Sequence, residues 1–134
     1  MTPLRSLTLG ALCAAAAGLA AAATPAELLA GYQQQAGAPA SAARGQAFFT
    51  QRHGAEWSCS SCHGTTPTAG GQHAATGKPI EPLAPTSPTA QTGRFTDPAK
   101  VEKWFRRNCK DVLARECTPA EKADVMAWLV GFKS

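Results

Sequence analysis

Cys59-Ser60-Ser61-Cys62-His63 decides how the rest of this 134-residue chain is read. C-x-x-C-H is the pattern at which haem is attached covalently: two thiols three positions apart each add to a vinyl group of one porphyrin, and the adjacent imidazole meets the iron as proximal ligand. The expected cofactor is one covalent haem c, with Cys59 and Cys62 as attachment thiols and His63 as iron ligand. A zinc site would need a second close ligand pair, and the later cysteines, Cys109 and Cys117, lack that spacing.

The chain ahead of the motif divides in sequence order. Residues 1–23 read as a cleaved secretory signal peptide. Arg5 supplies a short positive region, Leu7 to Ala20 an apolar stretch of mostly Ala and Leu, and Ala21-Ala22-Ala23 a small-residue cleavage site before Thr24. The apolar run is too short and too weakly hydrophobic for a permanent anchor. Leu12 stands before Cys13 where lipid attachment wants a small residue, so stable membrane insertion is not expected. Residues 24–40 read as a short N-terminal helix and connector, and 41–134 as the haem domain. Export places the protein in the periplasm.

Loss of the signal takes Arg5 with it and leaves 12 basic against 9 acidic residues, a formal +3 that two haem propionates would almost cancel. With no basic run interleaved with aromatics, nucleic acid is not an expected partner. An oxidising compartment allows Cys109 and Cys117 to pair, with two free thiols as the open alternative. Gly64 to Gly93 is rich in Gly, Pro, Thr and Ala and short of large apolar side chains, so it cannot build its own core. A porphyrin would give it an apolar surface to wrap.

Thr24-Pro25-Ala26-Glu27 and Thr118-Pro119-Ala120-Glu121 are capping boxes with Pro at the first helical position. The first opens a short helix through Leu28, Leu29 and Tyr32, with a connector expected over 33–40. The second opens the last helix, with Val125, Trp128, Leu129 and Phe132 on one stripe. Ser41 caps a helix in which Gly45 and Phe49 share a face that suits the aromatic face of the last helix. Asp97-Pro98 opens another, with Val101, Trp104 and Phe105 at i, i+3 and i+4. The i+7 position there is Asn108, an amide that on a core-facing stripe needs a partner or carries ~1 to 3 kcal/mol of desolvation. The residues alone leave it as a cap, a bond to loop backbone or a functional group. No strand pattern of useful length is visible.

The order Gly45-x-x-x-Phe49, C-x-x-C-H, a Pro-containing loop and a last helix with Trp128 resembles class I cytochrome c over about residues 41–134. That resemblance implies an all-α, class I cytochrome c-like fold with long loops wrapped around one haem. The ten-residue step from Phe49 to Cys59 is longer than usual there and puts an insertion around His53 to Trp57 beside the haem. In that class the sixth ligand is a Met from a loop before the last helix. Met126 instead lies inside the last helix and reads as core, while His53 and His73 stay open as alternatives.

A closer resemblance runs from about Gly45 to Phe132. Thr76-Gly77-Lys78-Pro79-Ile80-Glu81-Pro82-Leu83-Ala84-Pro85, the run from Arg94-Phe95-Thr96-Asp97-Pro98 to Arg107-Asn108-Cys109, and Arg115-Glu116-Cys117-Thr118 are similar to the sphaeroides haem protein family of oxygen-binding monohaem cytochromes c. The resemblance implies that Asn108 ligates oxidised iron and swings away on reduction, and that Cys109 and Cys117 form a disulfide beside it. It also implies dihaem cytochromes c or membrane cytochromes b as redox partners. The expected protein is a periplasmic electron carrier that binds O2, CO or NO when ferrous, and not an enzyme. One alternative is a haem enzyme reducing O2, peroxide or NO, with His53 or His73 brought over the iron as acid-base group. The other is an ordinary electron shuttle with Met126 as ligand. His63 is expected to donate its free ring nitrogen to a carbonyl of the Pro79 to Pro85 loop.

Overall fold

The two capping boxes close as the sequence requires. In the computed structural model, which describes residues 22–54, 56–86 and 93–132, the hydroxyls of Thr24 and Thr118 accept from the Glu27 and Glu121 amides, and each Glu carboxylate accepts from the threonine's own N–H. They start helices α1 (Pro25–Ala36) and α5 (Pro119–Val130). The expected signal peptide lies almost wholly outside the described residues. Helix α1 runs further than its apolar residues suggested and takes in Gln33 to Ala36, because Gln and Ala are good helix formers. It stops where Gly37 turns left-handed at φ 65° and donates to the Gln34 carbonyl.

Ser41 caps α2 (Ala42–Thr50) and Asp97 caps α4 (Pro98–Leu113); the four-residue α3 (Ser60–His63) carries the Cys pair. Two two-residue strands, β1 (Gly71–Gln72) and β2 (Pro79–Ile80), pair antiparallel with Gly71 opposite Ile80. They are too short to leave an alternating signal. The all-α fold class holds.

Helix α5 is buried nearly all round, with Lys122, Ala123, Asp124, Val125, Met126, Trp128 and Leu129 inside. One side packs with Tyr32, Val101, Ala123 and Met126, the other with Phe49, Val125, Trp128 and Leu129, and Phe95 and Phe105 touch both groups. A helix without a wet face is a central element that the others surround. On the second side α2 crosses α5 at Gly45. A methyl there would overlap the Asp124 backbone carbonyl, so only glycine permits the approach. The same Asp124 ties the start of α2: its carboxylate accepts from the Ser41 amide at 2.6 Å and from Arg44 Nε and Nη2 at 2.7 and 2.8 Å. A buried carboxylate with three donors is fully compensated.

On the first side the Lys122 ammonium donates to Glu102 and lies 5.7 Å from the Tyr32 ring centre, while the Tyr32 hydroxyl donates to Glu102 at 3.0 Å. Burial pulls the Glu102 pKa up, but the bonds from Lys122 and Tyr32 outweigh it and the net shift is downward. Burial and Glu102 together drive the Tyr32 phenol well above its usual value.

Three outcomes follow for stability. Gly45→Ala is expected to destabilise by about 1 to 3 kcal/mol through overpacking. Gly31→Ala, in α1 with open space around it, is expected to stabilise by about 0.5 to 1 kcal/mol; urea unfolding of both variants checks the contrast. Because Glu102 titrates lower folded than unfolded, its contribution is complete above the ordinary carboxylate value of 4.5 and is lost as pH falls through the folded value. Glu102→Gln, at a carboxylate that is 43% exposed and so partly screened by water, is expected to cost about 0.5 to 1.5 kcal/mol at neutral pH. It should also flatten the acid limb of a stability profile, read by unfolding midpoints from pH 7 to 3.

Candidate haem site

Local hydrogen bonds shape the Cys pair before any cofactor is considered. Ser58 is buried, its amide donates to Ser61 Oγ at 2.9 Å, and its hydroxyl lies 2.8 and 3.1 Å from the hydroxyls of Ser60 and Ser61. The Cys59 carbonyl accepts from the amides of Cys62 and His63 at 3.3 and 3.1 Å, which makes the single turn of α3. Gly71 of β1 lies so close under this turn that a methyl on it would overlap the Cys62 carbonyl. The Ala74 amide donates to Cys62 Sγ at 3.3 Å. Both thiols are free. Burial against the Phe49 group pushes the Cys59 thiol up to about 11.

His63 follows on the same turn. Its ring centre lies 6.0 Å from that of Phe49, which in turn sits 4.9 Å from Trp128 of α5. The crossing at Gly45 thus reaches His63 through one aromatic ring, since Phe49 is one helical turn from Gly45. Burial, and then the charge of Arg94, lower the His63 pKa, so the imidazole is held neutral. That is the form in which it ligates a metal. Nδ1 is buried and has no hydrogen-bond partner among the described residues, so the expected carbonyl from the Pro79 to Pro85 loop is not within reach of it. The Leu83 and Ala84 amides of that loop both donate to the Pro67 carbonyl, at 2.9 and 2.8 Å. Among the described residues no three His, Cys, Asp or Glu side chains gather into a metal cage. Two unpaired thiols and one neutral imidazole set against Phe49 fit a covalent haem and not a zinc site.

The remaining candidates separate. Met126 is fully buried among Tyr32, Val101 and Ala123. His53 Nε2 bonds the Phe48 carbonyl at 2.7 Å and its ring lies tilted against that of Phe48 with centres 4.4 Å apart, which ties it to the end of α2. His73 is exposed in the β1 to β2 turn, where its Nδ1 accepts from the Ala75 amide. Helix α4 turns Val101, Phe105 and Cys109 inward along an i, i+4, i+8 ridge. The neighbouring ridge of Trp104 and Asn108 faces out, with Trp104 50% exposed. The stripe read as Val101, Trp104, Phe105 and Asn108 was therefore half right, and Asn108 carries no core desolvation cost. Cys109 and Cys117 form a disulfide that ties the residue after Asn108 to the start of α5. Sequence reading passed over Ser58, Gly71 and Arg94. The Gly70-Gly71 pair shortly after C-x-x-C-H was the visible sign of a close backbone approach, and Arg94 stood at the head of the family-like run with no role read for it.

A family model described as a domain of unknown function, DUF1924, matches residues 35–129. The cytochrome c-type protein SHP of Cereibacter sphaeroides is 53% identical over 129 residues, which is 93% of this chain and 96% of that protein. The chain belongs to the sphaeroides haem protein family. The solved structure of oxidised SHP, described as an oxygen-binding cytochrome c, is 51% identical, with a TM-score of 0.74 over 83% of this chain and 99% of that one. Cytochrome c'' of Methylophilus methylotrophus is a further relative. It is 42% identical over 90 residues, 64% of this chain and 60% of its own. Its oxidised crystal structure superposes with a TM-score of 0.71 over 82% of this chain and 95% of its own, at 35% identity. The fold is thus the cytochrome c fold of these relatives, and the cofactor is one haem c. The family's named members are cytochromes, which agrees with a carrier and not an enzyme.

Gly71→Ala is expected to push α3 away from β1 and lower the yield of haem-bearing protein severalfold while the helical content persists. Absorbance of attached haem per polypeptide, beside far-ultraviolet circular dichroism, checks it.

Proposed function

We propose that the protein is a periplasmic monohaem cytochrome c in which electron transfer is coupled to binding of O2 or another diatomic gas, with Cys59 and Cys62 holding the haem, His63 as the permanent axial ligand and Asn108 as a conditional one. The observation that carries this is Met126, whose side chain is committed to the core and lies on no loop that could deliver sulfur to iron. An ordinary Met-ligated shuttle loses its ligand by that placement.

Haem supplies one-electron redox chemistry and, when ferrous, a coordination position for a small diatomic ligand. The chain supplies the rest. His63 is kept neutral by burial and steadied by Phe49, so it stays available as a donor at any physiological pH. Asn108 stands exposed on α4, one turn from Trp104, with a side chain free to take different rotamers. The disulfide at the next residue fixes the backbone while leaving that rotation open. A carboxamide oxygen is a hard, weak donor suited to the ferric ion and poorly matched to the ferrous one. Reduction is thereby expected to favour its departure, and its NH2 group can then donate to a bound gas. Relatives support the reading: SHP is an oxygen-binding cytochrome, and the solution structure of cytochrome c'' concerns haem-ligand detachment. With His53 bonded to Phe48, peroxide chemistry lacks that acid-base group.

The periplasmic location rests on the signal read in residues 1–23. No helix among the described residues is long and apolar enough to cross a membrane. Dihaem cytochromes c or membrane cytochromes b are the redox partners the family resemblance implies.

Asn108→Ala is expected to retain covalent haem and to raise the affinity of the oxidised protein for an added ligand such as cyanide by on the order of tenfold or more, a difference of about 1.4 kcal/mol. Optical titration of both redox states, with and without CO, is the measurement. An unchanged ferric spectrum together with unchanged ligand access rejects Asn108 as ligand.

A further inference from the structure

Among the described residues, Arg94 is a cation with a buried nitrogen that the fold leaves without a partner. Its Nε is buried and has no hydrogen-bond partner among the described residues, the same condition as His63 Nδ1. Its ion pair with Glu81, through a terminal guanidinium nitrogen, is 3.7 Å long, and Glu81 is itself 54% exposed while the Arg94 side chain is 22% exposed. A pair that long, with one partner in water, contributes little and does nothing for the buried Nε. A buried donor on a charged group costs several kcal/mol unless an acceptor reaches it. The backbone makes the placement deliberate. Phe95, the next residue, sits in the left-handed region at φ 61°, uncommon for a bulky side chain, and packs against both core groups. Anchoring the Phe95 ring there sets the direction in which Arg94 leaves the chain. Phe95 and Cys59 pack against the same apolar group of Phe49, Val125, Trp128 and Leu129, so Arg94 leaves the chain on the side of the molecule that carries the Cys pair and not on a distant surface.

We infer that Arg94 binds a haem propionate, its guanidinium taking the carboxylate through the buried Nε and a terminal nitrogen, with Glu81 as a lesser outer contact. The inference rests on the haem reading above. A porphyrin held at Cys59, Cys62 and His63 brings two carboxylates, the anions that a half-buried guanidinium lacks here. Arginine suits the task because its planar fork meets a carboxylate through two parallel hydrogen bonds, which lysine cannot do. Neutralising a propionate beside the iron disfavours the extra positive charge of the ferric state, so Arg94 is a positioning residue that also raises the reduction potential.

The test uses full-length protein made with a haem-attachment system, beginning with covalent haem content of the wild type. Arg94→Gln is expected to move the equilibrium with a redox dye of fixed potential at least tenfold towards the oxidised form, which for one electron is 59 mV. Glu81→Gln should move it less than twofold. Arg94→Lys, which keeps the charge and is the variant to rely on if Arg94→Gln does not fold, should stay within threefold of wild type in potential. Its propionate bending band in the resonance Raman spectrum should nevertheless shift, because the fork is lost. An Arg94→Gln potential within twofold of wild type, equal shifts for Arg94→Gln and Glu81→Gln, or an unmoved propionate band in Arg94→Lys would each overturn the assignment. A wild type that carries no covalent haem fails the parent reading instead, and is recognised at the first step.

Discussion

The close approach of α2 and α5 at Gly45 is the constraint from which the rest of the molecule is organised. Without a side chain at that point the backbones meet, Asp124 reaches across to hold Ser41 and Arg44, and Phe49 falls one turn further along against both Trp128 and His63. A larger residue would separate the helices and with them the Trp128, Phe49 and His63 ring contacts that connect the central helix to the imidazole. The haem site is therefore positioned from behind, by helix packing, and shaped from in front by short loop contacts such as Gly71 under Cys62 and the serine hydroxyls around Ser58.

How much of this could be read from residues follows from the range of the interactions involved. Capping boxes are local, so Thr24 with Glu27 and Thr118 with Glu121 announced two helix starts correctly, and the apolar spacing of Val125, Trp128 and Leu129 announced the buried face of α5. C-x-x-C-H is likewise local, and its chemistry was legible at once. The outward ridge of α4 was not. Spacings of three and four residues both lie near one face of a helix, and only the tertiary arrangement decided that Val101 and Phe105 turn inward while Trp104 and Asn108 do not. Arg94 was visible as the head of a family-like run, but not as a functional group. A single arginine in a loop announces no partner, and its meaning emerges only when the buried, unpartnered Nε is seen.

Met126 shows how architecture as much as chemistry decides which side chains are available to a metal. Sulfur is the better match for ferrous iron, yet the thioether here fills a cavity between three helices, while the weaker carboxamide stands in the open next to a disulfide. A fold that commits its Met to packing withholds from iron the sulfur that would bind it most firmly when ferrous.

Helix α5 belongs to both apolar groups at once, and Phe95 and Phe105 stitch the two together. Neither half can loosen while the other stays intact, so partly unfolded forms that keep one side ordered have nothing to rest on. For a polypeptide that must receive a covalent cofactor, this means that attachment acts either on a chain still largely open or on one already complete, with little in between.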